Sequence, residues 1–206
     1  MISIVNYGSG NIQAICNIYS RLGIPFVVAS RPEEVDMGEK IVLPGVGAFD
    51  QAMNELDRSG LRVALDEWAL KKGRPILGIC VGMQLLAKSS EEGVRPGLGW
   101  IGGVVKKFDC TKSQQAIRLP HMGWNTVEPV RQDALFKDVD LRNGFYFLHS
   151  YFFSCENQDD ELARTNYGGH YSSAVKRGNI YGVQFHPEKS HQAGIQLLKN
   201  FALYVR

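Results

Sequence analysis

This sequence has no long run of one charge sign, no extended apolar stretch and no paired-cysteine motif, and each absence removes a class of function. Its 23 basic and 21 acidic residues leave a formal net charge of +2. With no charged run among them, neither nucleic acid nor an anionic membrane surface is expected as a partner. No apolar segment approaches the ~20 residues of a membrane span. Cys16, Cys80, Cys110 and Cys155 lack C-x-x-C spacing, which argues against structural zinc and leaves a reactive thiol possible. The start, Met1-Ile2-Ser3-Ile4-Val5-Asn6-Tyr7-Gly8, lacks a basic leader and a long apolar core. It reads as a strand, so a cytoplasmic chain with reduced thiols is expected. Gly8-Ser9-Gly10 is followed by Gln13 where a dinucleotide fingerprint needs its third glycine, and no phosphate loop occurs. No cofactor and no metal are expected, because His121, His149, His170 and His191 show no ligand spacing.

What is present is ordinary in bulk and specific in detail. The chain has 206 residues, 44% hydrophobic and 21% charged, enough for one domain with a sizeable core. No repeat, low-complexity segment or linker divides it, so a single domain over 1–206 is expected. The first half alternates apolar runs with helical periods. Ile2–Val5, Pro25–Ala29, Lys40–Leu43 and Pro75–Ile79 read as strands. Ile12, Ile15, Tyr19 and Leu22, then Leu61, Leu65, Trp68 and Lys72, recur at helical spacing. This pattern predicts an α/β fold with a mostly parallel central sheet flanked by helices. From Trp100 to about Tyr181 the β-rich runs are short and predict added antiparallel strands. Ile195, Leu198 and Phe201 mark a closing helix.

In parallel sheets, sites gather at the carboxyl ends of strands. There stands Gly78-Ile79-Cys80-Val81-Gly82. A nucleophile on a sharp strand-to-helix turn needs small neighbours. The helix N-terminus favours a thiolate, and the Val81 N–H would face an oxyanion. Alone, this motif also fits an inert buried cysteine. The second motif is Gln184-Phe185-His186-Pro187-Glu188. His186 and Glu188 are two apart, so on extended backbone they share a side. Pro187 restricts His186 to extended angles. A carboxylate on one ring nitrogen leaves the other free for a thiol, the logic of nucleophile, base and orienter.

These motifs resemble the triad-type (class I) glutamine amidotransferases. Within them the chain is similar to the family of glutaminase subunits of imidazole glycerol phosphate synthase. Asn6–Asn11, Leu43–Phe49, Gly78–Gln84, Gly97–Gly99, Leu119–Asn125, His149–Tyr151 and His186–Ser190 carry the likeness. The resemblance implies Cys80, His186 and Glu188 as the triad. It implies an oxyanion hole from Gly45, Val46 and Gly47 with Val81. Gln84, Glu92, Ser150 and Tyr151 would hold the amino-acid end of glutamine. Asn11, His121, Trp124, Tyr146 and Lys189 would face a cyclase or synthase subunit in a heterodimer. For Trp124, core packing is the competing reading. The implied activity is glutamine hydrolysis, with ammonia passed to a partner that makes imidazole glycerol phosphate and AICAR in histidine biosynthesis. Two alternatives stay open: the same chemistry feeding a sugar amidotransferase in surface-polysaccharide biosynthesis, and a partner-independent cysteine hydrolase.

Overall fold

The computed structural model describes residues 1–109, 111 and 117–206; Cys110 lies outside them. In chain order the elements are β1 (Ile2–Val5), α1 (Ile12–Arg21), β2 (Phe26–Ala29), α2 (Pro32–Val35), β3 (Lys40–Gly45), α3 (Phe49–Ser59) and α4 (Leu61–Asp66). A π-helical turn, Glu67–Lys71, continues α4. Then come β4 (Ile76–Cys80), α5 (Val81–Gln84), β5 (Ser89–Ser90), β6 (Gly103–Lys107), β7 (His121–Asn125), β8 (Glu128–Pro129) and β9 (Phe145–His149). The chain closes with β10 (Tyr151–Cys155), β11 (Glu161–Asn166), β12 (His170–Arg177), β13 (Ile180–Val183) and α6 (His191–Leu203).

The main sheet runs β2-β1-β3-β4-β13-β12-β10-β6-β5, with β11 and β8 off this path. Strands β2, β1, β3, β4 and β13 are parallel neighbours. Their apolar runs follow from burial: β1, β4 and β13 are buried at every position, so neither face selects polar residues. From β13 onward, β12, β10 and β6 pair antiparallel. The β7–β9 ribbon forms a separate antiparallel pair. One core cluster takes side chains from Ile2 through Val205.

The expected strands at Lys40 and Pro75 are found, with ends shifted by one or two residues. The helix that follows the Cys80 turn, α5, stops at Gln84. Past it the Leu86 and Ala87 N–H groups bond three residues back, to the Met83 and Gln84 carbonyls at 3.1 and 3.0 Å, and the Lys88 N–H turns away to the Gly103 carbonyl at 3.0 Å.

Candidate active site

Register brings the cysteine to the sheet's carboxyl edge. Gly45 pairs with Cys80 across β3 and β4, and Ile79 pairs with Val183 at the end of β13. The chain leaving β13 therefore carries Gln184, Phe185 and His186 to the same edge. Cys80 has φ 55° and ψ −114°, a left-handed conformation costly for a side chain with a Cβ. The elbow packs so closely on β3 that a Cβ at Gly82 would lie 2.0 Å from the Leu43 carbonyl oxygen. A Cβ at Gly45 would lie 2.5 Å from the Gly82 nitrogen. Glycine at these positions lets the nucleophile turn sit flush against the strand beside it.

Cys80 is 3% exposed at one side of a cavity of about 300 Å³. His186 Nδ1 lies 2.8 Å from Glu188 Oε1, with side chains only 4% and 2% exposed. The same imidazole interacts with the Cys80 side chain, and both residues line this cavity. Burial by itself lowers the His186 pKa. Its hydrogen bonds and charge interactions with Cys80 and Glu188 outweigh burial and raise it to about 10. The imidazole is therefore held as a proton donor beside the sulfur. The three expected triad residues meet in one place.

Gln84, Glu92, Ser150, Tyr151, Val46, Gly47, Val81 and Lys189 also line this cavity. Gln84 spends both N–H groups on the protein, donating to the Tyr151 carbonyl and to Gln184 Oε1 at 3.0 Å each. It can thus offer a ligand only its carbonyl oxygen, an acceptor suited to an ammonium. Glu91 and Glu92, adjacent in sequence, separate cleanly. Glu91 accepts from the Lys107 N–H at 2.8 Å, whereas Glu92 lines the cavity and accepts from the Phe49 N–H at 2.9 Å.

The expected oxyanion loop is present but not fully aimed. The Val46 N–H donates to Ser9 Oγ at 2.9 Å, so it does not point toward the sulfur. Ser9 was not among the residues singled out from sequence, because nothing local links it to a loop 37 positions away. Gln184 was quoted only as a flank of the histidine motif. It is fully buried and donates through Nε2 to Cys80 Sγ at 3.8 Å.

Of the residues expected on a partner surface, Trp124 is 46% exposed. It stacks on His191 at 5.0 Å and 11°, at the foot of α6. Lys189 lies over the Tyr146 ring at 5.6 Å. Asn11 is half-buried at the start of α1, with no side-chain cap bond. His121 is placed inside, 3% exposed, stacked between Phe147 and Tyr167 at 4.7 and 3.9 Å. Its side chain cannot meet a partner directly. Burial lowers its pKa to about 4. His149 beside it falls to about 3, also from burial, despite its bond to the Tyr151 carbonyl. Among the described residues no group of three or more His, Cys, Asp or Glu side chains suits a metal ion. No helix among them is long and apolar enough to cross a membrane. A larger hollow of about 810 Å³ between Pro129 and Leu141 contains none of the expected site residues.

The fold and the cavity define an α/β enzyme class built on a cysteine elbow, with a histidine–carboxylate pair delivered from a neighbouring strand. A sequence model of the class-I glutamine amidotransferases matches residues 3–205, and the chain belongs to that family. It is 56% identical over 202 residues to the imidazole glycerol phosphate synthase subunit HisH of Bdellovibrio bacteriovorus, covering 98% of this chain and 99% of that one. It is 48% identical to the HisH subunit of Leptospira borgpetersenii, with the same coverage. Among solved structures, PurLQS from Thermotoga maritima superposes with a TM-score of 0.73 at 17% identity, over 100% of this chain and 98% of that one. A glutamine amidotransferase from Thermotoga maritima gives 0.63 at 19% identity, over 91% and 75%. These two likenesses speak to the fold.

Proposed function

We propose that this chain is the glutaminase subunit of an imidazole glycerol phosphate synthase, acting as one domain over 1–206 with Cys80, His186 and Glu188 as its triad. The observation that carries the reading is the meeting of the Cys80 sulfur with an imidazole whose far nitrogen is bonded to Glu188 at 2.8 Å. The near-full-length likeness to subunits named for that synthase supports the pathway.

In this reading the Cys80 thiolate attacks the side-chain amide carbon of glutamine. The Val81 N–H and the Gly45–Gly47 loop stabilise the oxyanion. His186 gives its proton to the departing nitrogen, which leaves as ammonia and forms a thioester on Cys80. The neutral imidazole then takes a proton from water, whose oxygen attacks the thioester. Glutamate leaves and the thiolate returns. Glu188 holds the imidazole in orientation and stabilises its charge. Gln84 and Glu92 supply acceptors for the substrate ammonium, and Ser150 and Tyr151 bind around its carboxylate. Trp124, Tyr146, Lys189 and Asn11 contact the cyclase subunit, which receives the ammonia before water protonates it.

The test is reconstitution with a cyclase subunit. Cys80→Ala should abolish glutamine-driven product formation while ammonium-driven formation persists. Retained glutamine use by that variant would remove Cys80 from the role.

A further inference from the structure

The polar groups behind Cys80 form a chain whose direction is fixed by one backbone atom. The Tyr151 carbonyl oxygen can only accept. It therefore sets the nitrogen end of the Gln84 amide toward itself, at 3.0 Å. The second N–H of that same nitrogen points at Gln184, at 3.0 Å, so the group it meets must be the Gln184 oxygen. This leaves the Gln184 nitrogen facing Cys80 Sγ, at 3.8 Å. Neither amide can flip without placing two donors or two acceptors against each other. Gln84 is nearly and Gln184 fully buried, where an unmatched pair costs about 1–3 kcal/mol per group and so excludes the flipped arrangement.

We propose that Gln184 is a dedicated hydrogen-bond donor to the Cys80 thiolate, oriented by Gln84 and the Tyr151 carbonyl. A thiol has weak need of a donor at its sulfur. A thiolate gains from one, because the bond is then charge-assisted. A backbone group at the sulfur, the Leu148 carbonyl at 4.0 Å, suits the S–H form instead. The amide of Gln184 thus opposes that carbonyl and favours the ionised nucleophile. It does so without charge, so it does not compete with His186 for the proton that the leaving group needs. The titratable groups around the sulfur are His186 with Glu188 behind it, Tyr7 on the β1 side, neutral His149, and Glu92 and Lys189 across the cavity. Substitution at Gln184 alters none of these groups.

The inference rests on Cys80 being the nucleophile, so the experiment separates the two claims. The rate of Cys80 alkylation by iodoacetamide is followed against pH in the free full-length chain, with the modified peptide identified by mass. In the wild type, glutamine should protect Cys80; absence of protection would count against the proposed function. In Gln184→Met, of similar length but without a donor, the alkylation midpoint should rise by about one pH unit. A purely structural role would lower stability without moving that midpoint. An unchanged midpoint in a folded variant, with glutamine protection intact, would overturn this inference alone. If the variant does not fold, the wild type decides. The Gln184 side-chain amide proton, observed by NMR in glutamine-labelled protein, should shift with the same midpoint as alkylation. A resonance that stays still through the sulfur's titration would refute the contact.

Discussion

The Val46 amide donates to Ser9 Oγ at 2.9 Å, and the Ser9 hydroxyl donates back to the Val46 carbonyl at 2.8 Å. This two-way clasp joins the turn after β1 to the loop after β3. It holds one expected oxyanion donor away from the sulfur. Each hydrogen bond contributes about 1 kcal/mol, while a single oxyanion donor is worth about 10²–10³ in rate. Ser9→Ala should therefore raise glutamate release by the subunit without its partner, by about tenfold, as more of the population presents the Val46 N–H. Glutaminase assays with and without the cyclase subunit check this. A drop in the unpartnered rate would mean that Ser9 supports the productive loop.

Strain at the nucleophile gives a prediction about stability. At φ 55° any residue with a Cβ is disfavoured, whereas glycine is not. Neither Cys80→Ala nor Cys80→Gly can carry a thioester. Yet Cys80→Gly should be the more stable of the two by about 1 kcal/mol, reversing the usual order of alanine and glycine. Chemical denaturation of the two inactive variants measures it. Equal stabilities would mean that the surrounding structure relaxes the turn.

The buried histidines predict acid sensitivity. His121 and His149 are pushed down to about 4 and about 3. Below the unfolded value near 6.5 the unfolded chain binds protons that the native chain refuses, so stability falls as pH falls. The loss begins below about pH 6.5 and continues until each folded value is passed. At pH 5 it should approach 2 kcal/mol for each ring. His186 works in the opposite sense: its folded value is raised to about 10. Its contribution is complete below about pH 6.5 and fades as pH rises toward 10. Thermal unfolding between pH 5 and pH 10 should show a maximum near neutrality. In His149→Gln the acid limb should become shallower, and an unaltered limb would show that other groups set it.

Trp124 tests the partner surface. Its ring is half-exposed and rests on His191. Trp124→Ala should change the free chain's stability by no more than about 0.5 kcal/mol, as exposed positions do. It should weaken cyclase binding by about 2 kcal/mol or more, as aromatic anchors do. Calorimetric titration and thermal unfolding of the same preparation separate the effects. A large loss of stability with unchanged binding would return Trp124 to the core.

The parallel half of the fold was legible because burial on both faces leaves a dense apolar signature, broken in Ile2–Val5 only by the buried Ser3 and also clear in Ile76–Cys80. The ribbon strand His121–Asn125 left no such signature. Only His121 is buried in it, and the two exposed residues are Met122 and Trp124, which are apolar. The strand Glu161–Asn166 and the helix Phe49–Ser59 were not read from the sequence either. The triad was legible because each of its two motifs is local, with His186 and Glu188 only two residues apart. The contacts that tune it were not. Gln84 and Gln184 lie 100 positions apart, and Ser9 and Val46 lie 37 apart. Only the register of β1, β3, β4 and β13 brings such residues together. Likewise, His121 belonged to a motif expected at the surface, but aromatic rings on β9 and beyond β11 enclose it.

The Tyr151 carbonyl accepts from both Gln84 and His149, at 3.0 and 2.8 Å. A main-chain oxygen cannot be deleted by any codon change. The polarity it imposes on its neighbours is therefore inherited with the strand itself. Tyr151 can drift to other residues without disturbing that polarity, whereas one misplaced peptide plane at the start of β10 would scramble it.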